Sequence, residues 1–157
     1  MRLAGDVRGV ESLPLRLLVV SVVAALSVIP ASEALDALRD KEFVRRADAQ
    51  LTLVTSQAEI LCVQGPGAVR TLSLDFSSHG SVRFSRLVIG DADGGPGMCC
   101  ALLEMSSGAR LVAVADEPPV WICSPAGEGL EVRTPVFELR LSAVLWEGAV
   151  AVVAEAV

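Results

Sequence analysis

Between Leu17 and Ser32 the chain carries no charged residue, and Leu17 to Ile29 reads LLVVSVVAALSVI. Counting Leu13, Pro14 and Leu15, the apolar stretch reaches about 20 residues with Arg16 as its one interruption. As a helix it spans roughly 30 Å, the thickness of a bilayer's hydrocarbon core. Arg16 falls near the start, where its stem can follow apolar surface while the guanidinium reaches headgroups. Ser12 suits a helix N-cap, and Pro14 then falls in the first turn, where a missing amide costs no hydrogen bond. A helix apolar on every side needs a buried core, a membrane or a signal-sequence role.

Charge divides the 157 residues around this segment. Residues 33–157 hold ten Arg and Lys against seventeen Asp and Glu, a net charge of −7, while residues 1–16 hold three cations and two anions. The acidic body and an aromatic content of 4% without tyrosine exclude a nucleic-acid partner, because phosphate contacts need clustered cations and base stacking needs aromatic faces. Orientation does not follow from counting cations, since Arg39, Lys41, Arg45 and Arg46 after the segment outnumber those before it.

Arg8-Gly9-Val10-Glu11 stands immediately before the apolar run. This arrangement resembles the class III signal of archaeal type IV pilin-like proteins. The resemblance implies cleavage by a prepilin peptidase between Gly9 and Val10, with Glu11 as the acidic residue near the new terminus and Pro30 as the helix-kinking proline. It further implies a cell-membrane protein with a cytoplasmic leader (1–9), a transmembrane and assembly helix (10–32) in membrane lipid, and an extracellular head. Self-association, or association with other pilin subunits, would run through that helix. The competing reading is a conventional secretory signal with Ser32-Glu33-Ala34 as a small-x-small site, cleaved after Ala34 to release a soluble β-rich binding domain.

After a charged stretch from Glu33 to Glu42, in which Glu42 and Arg46 form an i, i+4 pair, apolar residues recur at Val44, Ala47, Leu51, Val54, Ala58 and Leu61. The 3-4-3-4-3 spacing predicts an amphipathic helix over 33–63 with one buried stripe. Gln64-Gly65-Pro66-Gly67 ends it. From 68 to 157 the period becomes two. Strands are expected at Leu72–Phe76 with a return through Val82 and Phe84, then at Met98–Met105, Ala109–Ala115, Val120–Cys123, Phe137–Trp146 and Ala149–Val157. An alternation slip between Ser85 and Leu87 predicts a bulge, and Glu147-Gly148 predicts a two-residue hairpin. The expected fold is α+β: a long N-terminal helix on an antiparallel sheet arranged as a meander.

No residue set satisfies the requirements of catalysis, and no cofactor or metal is expected. Ser77, Ser78 and the single histidine, His79, are read as a turn, because adjacency supplies neither an orienting third group nor an oxyanion site. Asp91-Ala92-Asp93-Gly94-Gly95 resembles the opening of a calcium loop, but Leu102 stands where the bidentate glutamate belongs. Gly94-Gly95-Pro96-Gly97 has no lysine and opens no helix, so it is no phosphate loop. Cys62, Cys99, Cys100 and Cys123 lack C-x-x-C spacing and read as small hydrophobes, with a bridge from Cys62 to one strand cysteine as the alternative in an oxidising compartment. Trp121 and Trp146 are expected at the core or its edge.

Overall fold

Apolar periodicity and the absence of an interior glycine from Val10 to Gln64 favour one long helix, and the computed structural model, which describes residues 8–90, 96–116 and 119–157, has one: α1, Arg8–Gln64. It starts four residues before the expected Ser12 cap. Pro14 therefore sits in the second turn, where its missing amide leaves the Val10 carbonyl without a ladder partner. α1 continues through Pro30. It closes at Gly65, whose φ of 87° is the left-handed cap conformation and whose amide donates to the Leu61 carbonyl at 3.0 Å. The chain falls into two compact units, Met1–Leu38 and Arg39–Val157.

Among the described residues, eight strands and a short 3-10 helix (Pro96–Cys99) follow α1 in the second unit: β1 (Val69–Asp75), β2 (Phe84–Ile89), β3 (Cys100–Met105), β4 (Arg110–Val114), β5 (Ile122–Cys123), β6 (Leu130–Val132), β7 (Val136–Trp146) and β8 (Ala149–Ala156). They form two four-stranded sheets, ordered β1-β7-β8-β5 and β4-β3-β2-β6. The helix-on-sheet, α+β architecture holds, but the meander does not. β1 and β2, expected to pair as neighbours, lie in different sheets, and β5 runs parallel to β8. Alternation identifies a strand's buried face, not its partner. The register shift between Phe84 and Arg86 is the expected bulge. The β7–β8 hairpin turns at Glu147 (φ 50°) and Gly148 (φ 87°), two successive left-handed residues that match the twist of the strands they join.

One core draws on α1 and both sheets. Leu51, Val54, Ala58 and Leu61 from the helix, Leu74, Leu139 and Leu141 from one sheet, and Leu87, Ile89 and Leu103 from the other are all fully buried. Phe76 joins the sheets, stacking on Phe84 at 5.5 Å and on Phe137 at 6.2 Å between ring centroids. Gly90 lets β2 end against β5: at φ 77° a Cβ there would lie 2.1 Å from the Ile122 carbonyl oxygen, so only glycine fits.

Candidate functional site

The apolar half of α1 has the exposure pattern of a surface that water does not cover. Leu17, Leu18, Val19 and Val20 are 67, 60, 52 and 65% exposed. Four successive residues point in four directions around a helix, so every side of this segment is both apolar and open. Val22, Val23, Leu26 and Val28 continue it. Ser21 does not interrupt the apolar surface, because its hydroxyl turns back on its own helix and reaches the Leu17 and Leu18 carbonyls at 2.6 and 3.0 Å. α1 is long and apolar enough to cross a membrane.

The second half of α1 meets protein instead. The expected stripe is present, with Ala47, Leu51, Val54, Ala58 and Leu61 buried, Val44 half-buried, and Phe43 added at its start. Beside the stripe, three polar residues fasten the end of β1 and the segment that passes from it to β2. The Asp40 carboxylate accepts from the Val82 amide at 2.9 Å and from the Ser81 hydroxyl. Arg46 donates to the Ser77 carbonyl at 2.9 Å. Gln50 pairs with the Asp75 backbone twice, its amide NH₂ donating to the carbonyl at 2.9 Å and its oxygen accepting the N–H at 3.0 Å. The expected Glu42–Arg46 pair is replaced: Glu42 pairs with Arg45 at 2.7 Å, while the Arg46 guanidinium reaches the Ser77 carbonyl in the β1–β2 connection. Donation from Ser81, then from Val82, holds the Asp40 carboxyl below its ordinary value.

The residues expected to carry processing, Arg8, Gly9, Val10 and Glu11, form the first turn of α1, and their side chains lie outside the described part of the structure. Ser32, Glu33 and Ala34, the alternative cleavage site, also lie within α1. Ser77 donates from both its amide and its hydroxyl to the Asp75 carboxylate, and the Ser78 hydroxyl donates to the Val82 carbonyl. These hydroxyl protons are committed to turn geometry, and the Ser77 contacts lower the Asp75 pKa.

No disulfide joins the four cysteines. Burial raises the thiol pKa of Cys99 and Cys123, which disfavours the reactive thiolate. The Asp91–Gly95 loop lies outside the described residues, and among the described residues no cluster of three or more His, Cys, Asp or Glu could hold a metal. Trp121 and Trp146 sit at the surface rather than in the core, 44 and 38% exposed, with the Trp146 ring against Gly127.

Compared with known proteins, the chain matches no family, no curated protein and no solved structure.

Proposed function

We propose that this chain is a membrane-anchored, non-enzymatic, pilin-like surface protein, cut after Gly9 by a prepilin-type peptidase and able to assemble through the apolar half of α1. One observation carries the reading: the segment around Leu17–Val28 is apolar on all sides and uncovered, while the same helix further on seats a stripe in a folded head. A surface of that kind suits a bilayer before processing and copies of itself afterwards, since both environments are apolar and neither requires unsatisfied backbone groups. Arg8-Gly9 ahead of the segment supplies the processing signal, and the α+β layout of helix and head agrees with a pilin-like subunit.

The N-terminal residue of the mature protein tests it. Mass spectrometry of protein isolated from membranes should find Val10 first, and replacing Gly9 with a bulky residue should leave a full-length precursor. A mature chain beginning at Leu35, unaltered in the Gly9 variant, would establish the secreted binding domain instead.

A further inference from the structure

From Val10 to Ser32 the chain carries two charged residues, Glu11 and Arg16. An arginine on an apolar span is costly unless an anion answers it, and its own helix supplies none. The neighbours of a helical side chain stand three and four positions away. Around Arg16 these are Ser12, Leu13, Val19 and Val20, all uncharged. Among the described residues Arg16 makes no hydrogen bond or ion pair. Glu11 stands five positions before it, about 140° around the helix, so the two lie on different sides of one chain.

That angle makes the two charges the borders of a strip. Between them run Leu15, Val19, Val22 and Leu26, whose 4-3-4 spacing is that of the seam between helices packed side by side. All four are exposed, and Leu15 and Val19 border, with Arg16 and Val20, a surface hollow of about 320 Å³. Continued by threes and fours through Ile29, the series reaches Glu33, Asp36 and Asp40. The seam is therefore apolar only within the apolar half. In this heptad Glu11 and Arg16 take the two flanking positions, g and the following e, which face each other across two parallel helices in register. The opposite side, with Ser21 and Ala24, is bordered by no such pair.

We propose that the apolar half of α1 pairs with that of a second copy, parallel and in register, along Leu15, Val19, Val22 and Leu26, with Glu11 of each chain paired to Arg16 of the other. The inference rests on the reading of this segment as an assembly helix and names the face it uses. Charge complementarity selects the occupant: a second copy brings one anion for each arginine, and twofold symmetry forms the pair twice. At the border of a membrane such a pair is stronger than in water. An antiparallel copy would leave the charged ends at opposite ends of the contact. In register, Glu33 meets its own counterpart, and like charges end the seam there.

Disulfide trapping of the full chain in phosphatidylcholine vesicles tests it, with wild type as the control for native cysteines and the linked residues identified by mass spectrometry. Helix axes 8–10 Å apart bring seam residues within about 6 Å at Cα, inside disulfide reach. Single cysteines placed in turn from Val22 to Leu26 sample every side of the helix. Val22→Cys and Leu26→Cys should link most, and Ala24→Cys several-fold less. In the Leu26→Cys chain, Glu11→Arg or Arg16→Glu should each reduce linkage several-fold. Mixing those two chains should restore it, in a product that joins one of each. Linkage untouched by either charge change, or lowered by Arg16→Glu alone as a lipid phosphate partner requires, would overturn the ion pair. Strongest linkage at residue 24 would overturn the seam and leave assembly through α1 standing. No linkage at any of the five positions, in chains that stay with the vesicles, would overturn both.

Discussion

Both halves of α1 carry aliphatic residues, the first half more of them, yet leucines in the two halves meet opposite fates. Leu26 is 68% exposed and Leu51 is fully buried, though each is a leucine in the same helix. The difference is arrangement. Around Leu26 apolar residues surround the helix, so no single neighbouring surface can cover them. Around Leu51 they are confined to one stripe, with Asp48, Ala49 and Thr52 outside it exposed, so a sheet on one side suffices. That a residue is apolar therefore does not say where it belongs; how its apolar neighbours are distributed around the helix axis does.

The same substitution placed in each half gives the sharpest contrast. Leu51→Asp buries a carboxylate with no partner and should leave the head unfolded, seen as loss of cooperative thermal melting. Leu26→Asp should leave the melting of the head unchanged and weaken membrane insertion by about 2.5–3.5 kcal/mol, measured as the fraction of chain inserted. If both variants lost the head's cooperative transition, the two halves would not be separate in function.

A smaller effect follows for truncation within the stripe. Leu61→Ala should lower head stability by about 2–5 kcal/mol through lost burial and the cavity left behind, read from denaturant midpoints. Val23→Ala, on an exposed position, should not move that midpoint. Equal sensitivity at both sites would mean that the apolar half is also packed into the head.

The smallest effect concerns Asp40. Its folded-state pKa is lowered, so its carboxylate stabilises the folded chain above the ordinary aspartate range, and that contribution disappears as pH falls through the lowered value. Asp40→Asn should therefore be less stable than wild type at neutral pH, with the gap closing in strong acid. A gap that widened on acidification would contradict the assignment of the Ser81 and Val82 contacts to the ionised carboxylate.

Much of this was readable from residue spacing. The buried stripe, the Gly65 cap, the bulge near Ser85 and the Glu147-Gly148 hairpin all depend on neighbours close in sequence, where periodicity and turn chemistry act directly. Sheet assignment was not readable, because the alternation in β1 and β2 is equally compatible with one sheet or two. Leu130–Val132 is too short for a period to register, and Phe43 lies beside a run of charges that reads as solvated. Asp40, Arg46 and Gln50 resemble ordinary surface polar residues. Their partners at the end of β1 and in the β1–β2 connection lie 25 to 42 positions away, and most are backbone groups, which leave no mark in a side-chain pattern. The residues proposed for processing, Arg8 to Glu11, rest on the sequence resemblance alone.

Extraction from membranes at alkaline pH tests the division of α1 most directly. The full chain should remain with the membrane pellet, and a chain beginning at Glu33 should appear in the supernatant with a cooperative melting transition. Release of the full chain by the alkaline wash, or retention of the shortened one in the pellet, would contradict the assignment of the apolar half to the membrane and of the remainder to water.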